Sequence, residues 1–107
     1  MDPTAQVRYE ARANILKAMA HPTRLFLVDQ LGRGGPKCVN ELTEMVGADM
    51  STISKHLALL KSAGIVRDEK RGSMVFYELR VACVLNFFDC LENVIKCNVT
   101  RHQDSLG

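Results

Sequence analysis

With 107 residues the chain can form one domain around one small core, a size at which pairing with a second copy adds useful stability. A net charge of +2 is modest, so any nucleic-acid footprint has to come from local clustering of Lys and Arg. The longest near-apolar run, Val81–Leu91, is broken by Asn86 and Asp89, and Met1-Asp2-Pro3-Thr4 has neither the basic nor the apolar part of a signal peptide. The expectation is a cytoplasmic chain with no membrane contact, whose four cysteines stay reduced and serve metal or redox chemistry or plain burial.

Residues 5–20 read as a helix with Ala11, Ile15, Ala18 and Met19 on its apolar face and Arg8, Glu10, Arg12 and Lys17 on its polar one. His21-Pro22 breaks it, and Pro22 suits the first position of the next helix, 22–32. That helix carries Leu25, Phe26, Leu27, Val28 and Leu31 around most of its circumference, which predicts the buried centre of the domain. Gly32, Gly34, Gly35 and Pro36 predict a loop, and Lys37-Cys38-Val39 a short extended segment.

The next two helices decide the fold. Val39, Leu42, Met45 and Val46 give a short helical stripe that stops at Gly47. Ile53, Leu57 and Leu60 then recur at i, i+4 and i+7, with Asp49 or Ser51 available as the N-cap and Gly64 as the left-handed stop. Two helices joined by a tight Gly turn make a helix-turn-helix, here about 39–63. The outer face of the second helix carries Ser51, Lys55, Ala58 and Ser62, flanked by Ser54 and Lys61. Short, hydroxylic and basic side chains on a rigid apolar back suit a helix that lies in a DNA major groove. An ordinary amphipathic surface helix would share the apolar stripe, but not the turn and hairpin on either side. Ile65–Lys70 and Ser73–Leu79 read as two strands around Arg71-Gly72, a hairpin spanning about 65–79 with a basic tip. The predicted fold is mainly α with a small β-hairpin wing: one winged helix-turn-helix domain over 1–107. DNA contacts are expected from Ser51, Thr52, Ser54, Lys55 and Lys61, with Lys70 and Arg71 on the wing.

The last helix, about 81–98, has its main apolar stripe at Val84, Phe88, Leu91 and Ile95, with Phe87 and Val94 beside it. A face this wide exceeds what an outer helix of a small domain needs. Val84, Phe87, Phe88, Leu91 and Ile95 are therefore expected to form a homodimer interface, helped by the first helix. A two-fold dimer requires a near-palindromic double-stranded operator. From Thr100 onward the tail is polar and expected to fray.

His21-Pro-Thr-Arg-Leu25, Ser51-Thr-Ile-Ser-Lys-His-Leu-Ala-Leu-Leu60, Ala63-Gly-Ile-Val66 and Arg71-Gly-Ser-Met-Val-Phe-Tyr77 together resemble the ArsR/SmtB family of metal-sensing bacterial repressors, over about Ile15 to Cys90. The resemblance implies a homodimeric winged-helix repressor released from its operator by a metal, a metalloid or a thiol-reactive signal. Arsenic and cadmium sensors of that family often carry Cys-Val-Cys-Asp-Leu ahead of the recognition helix; this chain reads Cys38-Val39-Asn40-Glu41-Leu42, with an amide in place of the second thiol. Its zinc sensors use carboxylates and histidines of the last helix. Here that helix offers Asp89 and Glu92 with only His102 near its end, a poor zinc set.

Cys83, Cys90 and Cys97 follow one another at seven-residue steps, about 10.5 Å apart along a helix. Two thiolates on one ion stand no more than about 4.6 Å apart, so no two of these can share an ion within one helix. A thiol site has to add Cys38 or the partner's last helix. In a winged helix the Cys38 strand pairs with the second wing strand, which makes Cys38 and Cys83 expected neighbours, with Cys90 next and Cys97 furthest away. The candidate metal ligands are therefore Cys38, Cys83 and Cys90, with Cys97 ranked last. Thiolates with few histidines favour a soft inducer: arsenite or antimonite first, then cadmium or lead. The alternative within the same fold is a thiol redox or persulfide switch. His21 and His56 read as structural, His56 bonding backbone through a ring nitrogen. No Cys-x-x-Cys pair, phosphate-cradling Gly loop or nucleophile–base pattern points to an enzyme. A winged helix that binds only protein is the remaining competitor.

Overall fold

Pro3 and Pro22 each open a helix at a position where the missing N–H has no partner to lose. The computed structural model describes the backbone of residues 1–106 and side chains through Arg101. Helix α1 spans Pro3–Met19 and α2 spans Pro22–Gly34. Asp2 Oδ1 accepts the Ala5 N–H at 2.8 Å, and His21 Nδ1 accepts the Thr23 N–H at 3.1 Å, so both helices are capped by side chains. Helix α2 outruns the predicted stop, taking in Gly32 and Gly34, which read as loop. The reason is packing: a Cβ on Gly32 would stand 2.7 Å from a Leu85 methyl, so the missing side chain lets the start of the last helix approach α2.

Strand β1, Lys37–Cys38, leads directly into α3, Val39–Val46, and α4 follows at Met50–Ser62. Gly47 takes φ 77° between them, and Asp49 rather than Ser51 caps α4, accepting the Thr52 N–H at 2.7 Å. Helix α4 ends in a Schellman arrangement. The Gly64 N–H bonds Lys61 O at 2.9 Å and the Ile65 N–H bonds Leu60 O at 3.0 Å, with Gly64 at φ 78°.

Strands β2, Val66–Arg71, and β3, Met74–Leu79, form the hairpin. Arg71 pairs with Met74, so the turn is Gly72-Ser73, one residue later than predicted, and Arg71 belongs to the strand. Gly72 alone there takes positive φ, at 64°, as a two-residue turn with Gly first requires. Strand β1 pairs antiparallel with β3, giving the sheet order β1-β3-β2.

The core joins Leu27, Val28 and Leu31 of α2, Leu42 of α3, Ile53, Leu57 and Leu60 of α4, and Ile65 and Val66. Helix α2 is central as expected, although Phe26 remains exposed. Helix α1 departs from expectation: of its predicted apolar face only Met19 is buried, and Ile15 faces outward. Helix α5 spans Val84–Leu106. Residues 81–83, predicted as its first turn, instead form i→i+3 turns, with Val84 N–H on Val81 O at 3.3 Å and Leu85 N–H on Ala82 O at 3.1 Å. Its far end continues past Thr100, where fraying was expected, because no Gly or Pro interrupts residues 100–106.

Candidate DNA interface and thiol sites

One side of α4 is closed and the other open. Ile53, Leu57 and Leu60 have no exposed surface, while Ser51, Thr52, Ser54, Lys55, Ala58 and Ser62 are exposed. The Ser51 hydroxyl donates to Asp49 Oδ1 at 2.9 Å. Asp49 is held below the ordinary carboxylate range, chiefly by Thr52, then by the Ser51 hydroxyl. The first turn of α4 is thus organised before any ligand arrives. Of the predicted DNA contacts on this helix, Lys55 makes no ion pair among the described residues, whereas Lys61 Nζ pairs with Asp68 at 3.0 Å. On the wing, Arg71 lies over the Phe76 ring at 4.9 Å and pairs with Glu69 at 3.2 Å; Lys70 is exposed and makes no ion pair among the described residues. Arg67 and Glu78 pair across the hairpin and hold its two strands in register. The residues that sequence reasoning selected on α4 and the wing are exposed, but so are Met50, Leu59 and Arg67, which it did not select, and the carboxylates that partly offset Lys61 and Arg71 were not foreseen.

The thiols are dispersed. Cys38 is 3% exposed, sits opposite Phe76 in the sheet and caps the start of α3. Glu41 reaches back to it, accepting the Cys38 N–H at 3.3 Å, and its interaction with Cys38, side chain first and then backbone, holds the Glu41 carboxyl below its ordinary range. The expected pairing of the Cys38 strand with the second wing strand is present. Its register points Cys38 toward the wing tip, while Cys83 lies beyond the opposite end of β3, in the turn before α5. Cys83, Cys90 and Cys97 are exposed and unpaired. Among the described residues no group of three His, Cys, Asp or Glu side chains is placed to hold a metal ion. The His102 side chain, named for a zinc site, lies outside the described residues.

His21 caps α2, as its position before Pro22 implied. His56 does not bond backbone: its Nδ1 has no partner, and its ring leans on His21 with centroids 4.5 Å apart. Burial first, then His21 and Arg24, push its pKa down.

The helix-turn-helix and wing have counterparts in known proteins. Residues 21–68 match the family model described as bacterial regulatory protein, arsR family. An uncharacterized HTH-type transcriptional regulator from Methanocaldococcus jannaschii is 41% identical over 70 residues, covering 65% of this chain and 79% of that protein. The HTH-type transcriptional repressor SmtB of Mycobacterium tuberculosis is 39% identical over 70 residues; the match covers 65% of this chain and 51% of SmtB. The crystal structure of the transcriptional repressor BigR from Xylella fastidiosa superposes with a TM-score of 0.73 at 32% identity, over 85% of this chain and 92% of BigR.

The chain belongs to the ArsR/SmtB family.

It is a DNA-binding transcriptional regulator of that family and not an enzyme. No helix among its described residues is long and apolar enough to cross a membrane. A second exposed surface of this ArsR-family fold, along α5 and α1, is apolar. Along α5, Phe87, Leu91, Val94 and Ile95 are exposed, while Val84 and Phe88, predicted for the same interface, are half-buried against the chain's own core. Ile15 and Leu16 of α1 share a groove with Val84 and Phe87. Leu16 was not singled out from the sequence; only the groove shows that α1 and α5 present their apolar residues side by side.

Proposed function

We propose that this protein is a homodimeric repressor that binds a near-palindromic operator and lets go when a thiophilic metal or metalloid occupies its cysteine thiolates. Trivalent arsenic or antimony fits best. The observation that carries the DNA reading is the two-sided α4: an outer face of small hydroxyls and Lys55 on a fully buried apolar back, beside a wing bearing Lys70 and Arg71. In this reading Ser51, Thr52, Ser54, Lys55 and Lys61 meet base edges and phosphates, and the wing cations meet phosphates. The dimer forms through Phe87, Leu91 and Ile95 of α5, with Val84 and Phe88 at the border and α1 alongside. SmtB and BigR, both repressors by name, support the sense of regulation.

For the inducer, the support is chemical. Three exposed thiols punctuate α5 and the turn before it, and thiolates bind soft ions in preference to hard ones. Because seven-residue spacing keeps Cys90 and Cys97 about 10.5 Å apart along one helix, a shared ion needs a thiol from Cys38 or from the partner's α5. Cys38, Cys83 and Cys90 are the proposed ligands, drawn from both subunits, because Cys83 and Cys90 of one chain are a seven-residue step apart and Cys38 and Cys83 of one chain lie toward opposite ends of β3. An ion that joins them would fix α4 and the wing relative to the dimer interface. A coupling of about 3 kcal/mol would lower operator affinity about 150-fold, and DNA would weaken the ion by the same factor.

The test is operator release, followed by fluorescence anisotropy, with arsenite, antimonite, cadmium, zinc and polysulfide added to the reduced protein. Cys38→Ser and Cys90→Ser are expected to bind the operator and fail to release it with arsenite; Cys97→Ser is expected to change little. Release by polysulfide or oxidant alone would overturn the metal reading in favour of a thiol redox or persulfide switch. Normal arsenite release by Cys38→Ser would leave only a site between the two α5 helices.

A further inference from the structure

The Cys38 side is not empty of soft donors; they are thioethers. A groove between the first turn of α4 and the wing tip is lined by Cys38, Asn40, Met50, Ser54 and Met74, among others. Its three sulfur side chains come from three separate elements: the β1–α3 junction, the start of α4 and the start of β3. No carboxylate or imidazole lines it. Met50 and Met74 keep half and two-fifths of their surface exposed, so both thioethers are free to swing; Cys38 is nearly closed off at the groove's floor.

We propose that Cys38, Met50 and Met74 form a binding site for a soft monovalent cation, Cu(I). The charge balance selects it. One thiolate and two neutral thioethers neutralise a single positive charge, which suits a half-enclosed apolar groove. A divalent ion would keep an uncompensated charge there, and trivalent arsenic would lack two of its three thiolates. Thioethers are ligands that hard ions ignore and Cu(I) accepts. Binding exchanges a proton for the ion: the Cys38 S–H bond breaks, a sulfur–copper bond forms, and copper stays Cu(I). The proton is released to solvent, so binding of the ion should strengthen as pH rises.

The ion would tie the recognition helix to the wing. Ser54, a proposed base contact, lines the same groove, so occupancy and DNA binding are coupled through one wall. That coupling rests on the DNA reading above; the site itself does not.

The experiment uses the full reduced chain without oxygen, competing with a chromophoric Cu(I) chelator. One Cu(I) per chain is expected. Met50→Leu and Met74→Leu should each weaken it at least tenfold, and a Cys83→Ser, Cys90→Ser, Cys97→Ser triple variant should hold it as tightly as the parent. X-ray absorption at the copper edge of the selenomethionine-labelled triple variant should show copper–selenium scattering that disappears when Met50 and Met74 are both Leu. Absence of that scattering, or loss of the ion in the triple variant, overturns the site. Arsenite release that needs Cys90, found together with an absence of copper–selenium scattering, would leave the proposed function standing while the copper site falls. A copper site without arsenite release would do the reverse.

Discussion

Helices α4 and α5 carry the same kind of apolar stripe and meet opposite fates. Ile53, Leu57 and Leu60 of α4 are fully covered by α2, α3 and β2, whereas Phe87 and Ile95 of α5 remain 39% and 53% exposed. The first stripe is satisfied inside one chain, so the orientation of the DNA-facing side chains is a property of the fold. The second stays exposed, and in the proposed dimer the α1–α5 groove of a second copy, of matching apolar character, would cover it. In the proposed dimer the distance between two recognition helices is set by association and not by folding. A ligand that alters how α5 seats could change operator affinity while each wing and helix stays intact.

The sharpest way to break this comparison is to charge the open stripe. Phe87→Asp should leave the monomer folded, because Phe87 is 39% exposed and lies outside the core cluster. It should give monomers in sedimentation and lower operator affinity by about 10²–10⁴-fold, the range over which linked sites lose their joint hold. Phe88→Asp is a poorer probe, since Phe88 also packs on the chain's own core and its loss would mix unfolding with dissociation. A Phe87→Asp protein that still sediments as a dimer would place the interface elsewhere.

The complementary change is inside. Leu57→Ala removes a fully buried side chain and should cost about 2–5 kcal/mol in denaturant unfolding. Leu91→Ala, on the exposed stripe, should cost the dilute monomer little and act only where dimers form. Equal losses for the two at a concentration where both are monomeric would erase the distinction between the helices.

A smaller effect sharpens the DNA side. Arg71→Ala should weaken binding by a similar factor on every operator variant and reduce the slope of log affinity against log salt by about 1. Lys61→Ala should reduce it less, because Lys61 is already engaged with Asp68. Anisotropy titrations at several salt concentrations read both. A change in base preference at Arg71 would take the wing off the phosphates.

The helix-turn-helix was legible because local rules decide it. Gly47 and Gly64 need positive φ, Asp49 offers a cap, and Ile53, Leu57 and Leu60 keep helical spacing; each rule acts within a few residues. The errors fall where distant contacts decide. Gly32 reads as a breaker until Leu85 is seen resting on it. Residues 81–83 extend the apolar pattern of α5, yet the chain turns there before the helix begins. The surroundings of Cys38 depend on the register of a two-residue strand against β3. Periodicity along the chain has no access to that register, so the companionship of Met50 and Met74 was out of reach from sequence.

The smallest predicted effect belongs to pH, and it too should discriminate between the two helices. His56 sits on α4 against His21 and Arg24, and burial followed by those two neighbours lowers its pKa in the folded state. The unfolded chain therefore binds the proton more readily, near the ordinary value of about 6.5. Stability should rise with pH wherever the unfolded state holds more protons, so it should fall as pH drops below about 6.5 and level off beneath the folded pKa. His56→Gln removes the titrating group, and its denaturation midpoint should lose that slope between neutral and mildly acid pH. Residues 84–101 of α5 contain no histidine, so dimer dissociation measured over the same range should change less than folding does. A slope that survives in His56→Gln would shift the acid sensitivity to another group and away from the recognition helix.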